Sequence, residues 1–159
     1  MILDDSGQKV FLTEFQVRGY ELDGNGHVNH SVYLNYAEHA RWEMLEQGSG
    51  SVDYFKKAGV APVIVRAEVD YREACVTGEW LVIETVVLEL KSRTARIRQS
   101  IKKKGTKKEA ALVIVTAVCV NAEGKAVSMP EDFGKIFVWS RLFRVTYVDK
   151  NKFIQSTGF

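Results

Sequence analysis

Three things are scarce in this 159-residue sequence: long apolar runs, cysteines and prolines. The longest apolar stretch, Ala110 to Val120, is eleven residues and is broken by Thr116. That is well short of the roughly 20 residues a membrane helix needs, so no membrane partner is expected. The amino-terminal segment MILDDSGQKV carries Asp4 and Asp5 and no apolar h-region, so no secretory signal is visible. Two cysteines, Cys75 and Cys119, are too few for a disulfide framework and lack metal-ligand spacing. They read as small core residues rather than as nucleophiles. No internal repeat and no low-complexity linker divides the chain. Apolar residues make up 46% and charged residues 26%, which argues against disorder and for an ordinary core. The expectation is one soluble, cytoplasmic domain spanning residues 1–159.

Charge is nearly balanced overall, at +2, but is unevenly placed. Residues 91–108 (KSRTARIRQSIKKKGTKK) hold nine Lys or Arg and no acid, leaving the rest at about −7. Such a run points to an anionic partner. It can equally be a solvated hairpin whose lysines protect an exposed edge. Nucleic acid is not the expected partner, because no stacking aromatic interrupts the run.

Periodicity supplies the elements. Phe15 to Leu22 alternates loosely and predicts a first strand. DGNGHVNHS, dense in turn formers, predicts a loop and a helix start. Val32, Tyr33, Tyr36, Ala37, Ala40 and Met44 then recur at helical steps, with a glycine stop at 47–50 and a short helical turn near 52–57. Four β-branched segments follow: Val63–Tyr71, Glu79–Leu90, Thr94–Lys104 and Ala111–Asn121. In the third, Ala95, Ile97, Gln99 and Ile101 alternate with Arg96, Arg98, Ser100 and Lys102, which predicts one wet, basic face. Short turns imply an antiparallel sheet, and one long helix must pack on it. Residues 131–159 are aromatic and read as a carboxy-terminal extension, a helix and a tail strand covering an edge or a pocket.

The densest chemistry lies between the first strand and the helix, where Asp23, His27, Asn29 and His30 fall within eight residues. A carboxylate before a glycine turn can approach a substrate closely. Unpaired N–H groups at a helix start suit a developing oxyanion, and a histidine nearby can hydrogen-bond or move a proton. The same residues can simply be helix caps and turn formers. Asp23, His27 and His30 can also be counted as three metal ligands, although nothing in the spacing makes them converge.

The segment YELDGNGHVNHSVYLNYAEHAR, residues 20–41, closely resembles the signature of hotdog-fold acyl-CoA thioesterases of the 4-hydroxybenzoyl-CoA thioesterase type. Glu21, Asp23, Gly26, His27, Val28, Asn29, Tyr33, Tyr36, Glu38 and Arg41 fall in register with it. The likeness continues through Asp70–Tyr71, Gly78–Glu79, Lys91–Thr94 and Met129–Pro130, covering about residues 14–130. Acyl-ACP thioesterases share a similar HVN stretch. One departure is Ala74, where the family often has proline.

The resemblance implies an α+β hotdog fold, an antiparallel sheet of about five strands wrapped around one long central helix. It implies hydrolysis of an acyl-CoA or acyl carrier protein thioester without metal or separate cofactor, coenzyme A being part of the substrate. By this likeness Asp23 is the nucleophile or general base, and the His30 N–H polarises the carbonyl while its side chain orients Asp23 or water. His27 and Asn29 would shape the turn and pocket, and Tyr33 would line the acyl site. Lys91, Ser92 and Arg93 lie where relatives contact the nucleotide. Active sites between subunits imply a homodimer or homotetramer. A hotdog protein that binds an acyl ligand without hydrolysing it is the alternative, and the presence of Asp23 argues against it. The histidine–acid spacing of hotdog dehydratases is not found.

Overall fold

The computed structural model describes residues 1–106 and 108–138. Six strands form one sheet: β1 (Ile2–Leu3), β2 (Lys9–Gln16), β3 (Ala61–Tyr71), β4 (Trp80–Leu90), β5 (Thr94–Lys103) and β6 (Glu109–Val120). Their order is β1-β2-β4-β5-β6-β3, with every neighbouring pair antiparallel. The long helix α1 (Val32–Ser49) packs on β2, β4 and β6, while α2 (Tyr54–Lys57) leads into β3. A last short helix, α3 (Phe133–Phe137), packs against α1. This curled antiparallel sheet around a single long helix is the hotdog fold.

The core between sheet and helix draws on alternate strand positions, as a sheet with one covered face requires. Leu81 and Ile83 of β4, Ile97 and Ile101 of β5, and Val113 and Val115 of β6 are buried there. They meet Tyr33, Tyr36, Ala37, Ala40, Met44 and Leu45 of α1. Gln99 is the polar exception on this face. It is fully buried, and its amide donates to the Ala37 carbonyl (2.7 Å) and the Thr85 hydroxyl (3.2 Å) and accepts from Arg41 (2.7 Å). Its hydrogen-bonding capacity is thereby met.

Several expectations are corrected here. The first long strand is Lys9–Gln16, not Phe15–Leu22; residues Gly19–Glu21 form a 3-10 turn instead. Phe11, Thr13 and Phe15 face inward, so a buried threonine masks the alternation that marks this strand. The helix runs through Gln47–Ser49 and stops at Gly50, which takes the left-handed conformation (φ 70°). Gly48 is helical, and its bareness serves packing: a Cβ there would come within 2.4 Å of the Phe137 ring. Ser100 is buried and donates to the Glu109 carboxylate rather than facing water. Of the carboxy-terminal extension, residues 131–138 form a helical cover over the core, with Phe133 and Phe137 buried. The expected tail strand lies outside the described residues.

Candidate active site

The loop from Leu22 to Ser31 is tied down at both ends. An isolated bridge pairs Leu22 with Val28, and the Val28 N–H donates to the Cys75 carbonyl (2.8 Å). Inside it, the Asp23 N–H donates to the His27 carbonyl (2.7 Å), closing a tight turn through Gly26. The half-buried Asp23 carboxylate accepts from the Asn25 N–H (2.8 Å) and the His27 N–H (3.3 Å), both at Oδ1. Oδ2 has no protein partner among the described residues. One oxygen therefore fixes the carboxylate to the backbone while the other is available for chemistry.

Asn29 shapes the helix start. Its Oδ1 accepts from the Ser31 N–H (3.0 Å) and hydroxyl (2.9 Å), and its carbonyl accepts from the Val32 N–H. The His30 N–H has no acceptor among the described residues, and the His30 carbonyl accepts from the Tyr71 hydroxyl (2.9 Å). The side chains of His27 and His30 are exposed. Tyr33 lies deeper, buried edge-on against Tyr36 and Tyr71. Burial raises its phenol above the ordinary tyrosine range, and the adjacent Cys75 thiol raises it further.

One anchor escaped sequence reasoning about the site. Glu21 is almost fully buried, and its carboxylate accepts from the Tyr36 hydroxyl (2.6 Å), the Arg18 N–H (2.7 Å) and the Arg18 guanidinium (3.1 Å). Burial, then the Glu21 partner, pushes the Tyr36 phenol up, so it remains the donor. The Glu21 carbonyl also accepts the Asn29 N–H (2.9 Å), so this residue holds both sides of the loop. Its position two before Asp23 was the available signal. A cleft of about 430 Å³ opens beside it, lined by Phe15, Arg18, Tyr20, Glu21, Asn35 and His39 among others.

Lys91, Ser92 and Arg93 are not brought to this loop. They form the β4–β5 turn, where Leu90 pairs with Ala95, whereas the Asp23 loop adjoins the other end of β4, where Trp80 pairs with Gln16. Along an eleven-residue strand that is roughly 30 Å of separation. The turn is exposed and its backbone is well tied: the Met129 N–H donates to Ser92 and the Cys119 N–H to Arg93. The basic run is also largely neutralised. Lys91, Arg96, Lys102, Lys103, Lys104 and Lys108 each pair with a glutamate. Arg93 and Arg98 carry no ion pair among the described residues.

Among the described residues, no three His, Cys, Asp or Glu side chains gather as a metal site, and no helix is long and apolar enough to cross a membrane. Cys75 and Cys119 are buried, with their thiols held above the usual range by burial.

The family model described as thioesterase-like superfamily matches residues 17–137. The long-chain acyl-CoA thioesterase FadM of Escherichia coli (strain K12) is 32% identical over 109 residues, covering 69% of this chain and 82% of that protein. A chloroplastic acyl-acyl carrier protein thioesterase of Arabidopsis thaliana is 35% identical over 71 residues, covering 45% of this chain and 37% of that protein. The crystal structure of YbaW from Escherichia coli has a TM-score of 0.70 at 28% identity, covering 78% of this chain and 93% of that one.

Proposed function

We propose, from the premise that this chain belongs to the thioesterase-like superfamily, that it hydrolyses acyl-CoA with Asp23 as the reacting carboxylate. Membership makes the chain a thioester hydrolase in class. The observation that carries the assignment of Asp23 is its half-fixed carboxylate, with Oδ1 held by two backbone N–H groups and Oδ2 left free.

Two routes use that oxygen. As a nucleophile, Oδ2 adds to the thioester carbonyl, the C–S bond breaks to release the thiolate, and water hydrolyses the resulting anhydride. As a general base, it takes a proton from water while the hydroxide adds to the carbonyl, and the same C–S bond then breaks. Either tetrahedral intermediate places negative charge on the former carbonyl oxygen. The unpaired His30 N–H at the helix start is the donor proposed to meet it. The Asn29 carbonyl, in the same peptide as that N–H, accepts from Val32, and the Tyr71 hydroxyl on the His30 carbonyl holds the next peptide in place. A thiolate leaves without acid assistance, so the proposed step needs no general acid.

The working unit proposed is a pair of chains joined through β3. Among the described residues this strand hydrogen-bonds only to β6, and Val63, Ile64 and Val65 are exposed along its eleven residues. Open apolar edges of this length are covered in stable proteins. Antiparallel pairing of two β3 strands exchanges their ends. The partner's Ala61 end, on the side of its β4–β5 turn, then lies at this chain's Tyr71 end, on the side of Asp23. Lys91, Ser92 and Arg93 thereby serve the other protomer's site, and Arg93, free of ion pairs, is the natural contact for a phosphate.

Thiol release from a panel of acyl-CoAs, short to long and aromatic, tests the reading with Asp23→Asn beside the wild type. Hydrolysis of at least one member is expected, falling roughly 10²–10⁴-fold in the variant. Wild-type turnover by Asp23→Asn would sink the role of Asp23. Silence across the panel from a folded, paired protein would favour an acyl carrier protein thioester or ligand binding without turnover.

A further inference from the structure

The connection from β3 to β4, residues 72–79, is the wall on which the Asp23 loop rests. It holds no proline, so its shape depends on hydrogen bonds. At its start the Arg72 and Glu73 N–H groups donate to the Ala110 carbonyl. At its end the Gly78 N–H donates to Val17 and the Glu79 carbonyl accepts from it. Between these ends, one peptide carries the contact with the loop. The carbonyl of the Cys75–Val76 peptide accepts the Val28 N–H (2.8 Å), and Val28 bridges to Leu22, so the residues that flank the Asp23 turn are fixed through it.

The N–H of that same peptide donates to Glu79 Oε2 (2.9 Å), while Oε1 accepts from the Lys103 ammonium (2.9 Å). Lys103 comes from β5, a third segment of the chain. It is the most shielded of the basic run's lysines that form ion pairs, 17% exposed beside a Glu79 at 30%. Lys108, on Glu73 of the same connection, is 65% exposed. Burial opposes charge on both members of the shielded pair. Even so, Lys103 and the Val76 N–H hold Glu79 below the usual carboxylate range, and Glu79 holds Lys103 above the usual lysine range. Shielded from water, such a pair is screened less than an exposed one. An ionised acceptor on the N–H also polarises the carbonyl of the same peptide, which strengthens its hold on Val28.

We infer that Lys103 and Glu79 are positioning residues for the thioester reaction: Lys103 orients the Glu79 carboxylate, Glu79 fixes the Cys75–Val76 peptide, and that peptide holds the turn that carries Asp23. Part of the basic run thus works inward, on the site, rather than on an anionic partner. The inference rests on the reading of Asp23 as the reacting carboxylate.

The test pairs turnover of an acyl-CoA that the wild type hydrolyses with amide hydrogen exchange on the substrate-free protein. A reacting group displaced by about 1 Å costs roughly 10²-fold. Glu79→Ala and Lys103→Met should each lower kcat roughly tenfold or more, with KM within about twofold. The Val28 amide should lose protection in both, while the Met129 amide, bonded to Ser92 at the far end of the sheet, keeps its own. Because the two residues act in series, the double variant should fall no further than Glu79→Ala. Lys108→Met, at the exposed pair, should keep the wild-type kcat. Lys103→Met, close to isosteric, carries the test should Glu79→Ala fail to fold. Wild-type kcat in Lys103→Met beside an inactive Asp23→Asn would overturn the inference and leave the role of Asp23 standing. Equal loss of protection at Val28 and Met129 would overturn it as general loosening, and losses that multiply in the double variant as separate roles. Full turnover by Asp23→Asn would overturn both this inference and the reading on which it rests.

Discussion

At the Asp23 end of the sheet, the loop's own side chains, Asp23 and Asn29, find partners within a few residues of chain. At the Lys91 end, side chains reach across to another segment or into water. Asp23 is held by Asn25 and His27, Asn29 by Ser31, and Glu21 by Arg18 and Asn29. The β4–β5 turn instead presents Lys91, Ser92 and Arg93 outward, its backbone secured by Met129 and Cys119, with Lys91 on Glu89 and the Ser92 hydroxyl on Ser128. In the proposed reading the first end carries the reaction, and the second holds the charged, flexible part of the substrate. One chain keeps them roughly 30 Å apart. In the proposed pair, β3, whose second edge has no partner among the described residues, brings one end of each chain to the other end of its partner.

The sharpest way to break that comparison is to keep both ends intact and prevent their meeting. Val65 sits 60% exposed at the irregularity of β3, where register shifts between Ile64 and Arg66. Val65→Asp places a charge on the proposed seam, with like charges facing each other across it. The expected outcome is a folded monomer by light scattering, with kcat/KM lowered by roughly 10²-fold or more. A variant that remains paired and active would show that β3 is not the junction. A folded monomer with full activity would show that one chain holds the whole site.

The next effect tests the clamp of the Asp23 end. Glu21→Ala leaves the Tyr36 hydroxyl and the Arg18 N–H without their acceptor, at a cost of about 1–3 kcal/mol for each buried group. The exposed Arg18 guanidinium adds little. Urea denaturation should report the loss, and Glu21→Gln, which keeps an acceptor, should lose less. Equal stability of all three proteins would mean that the clamp is ornamental and the loop is held by its turn alone.

The same contrast explains what was legible in the sequence. The Asp23 loop is local, so its turn formers and its position before a helical pattern announce it; the turn that Asn29 closes onto Ser31 follows from residue type. Strands β4, β5 and β6 are long and β-branched, and their bounds fall within two residues of the pattern. β2 was misplaced because Thr13 faces inward and breaks the alternation, while Val17 is buried beyond the strand's end. The anchor role of Glu21 was hidden because its partner, Tyr36, lies a helix turn into another element. The neutralisation of the basic run was invisible for a related reason. Its glutamates stand on β2, β3 and β4 and in the loops beside β4 and β6, at spacings that only the strand register converts into contact.

His30 gives a smaller effect that separates backbone from side chain. His30→Ala removes the imidazole and keeps the N–H proposed for the oxyanion. Turnover should fall by less than the ~10² expected when an acid–base group is lost, with the fold unchanged. A collapse comparable to that of Asp23→Asn would move the imidazole into the chemistry itself.

The mildest prediction concerns Arg93. It is exposed and without an ion pair among the described residues, so removing it costs the fold almost nothing. In the proposed pair it faces a phosphate in water, where such a contact contributes about 0.2–1 kcal/mol. Arg93→Ala should therefore raise KM for acyl-CoA up to roughly fivefold with kcat unchanged. The difference from wild type should shrink as ionic strength shortens the Debye length from ~10 Å towards ~3 Å. Lys91→Ala should do less, because Lys91 already pairs with Glu89 (3.0 Å). A KM indifferent to Arg93 at every salt concentration would leave the β4–β5 turn a structural corner. An effect on kcat instead would mean that the turn reaches the reacting end of the substrate rather than its nucleotide.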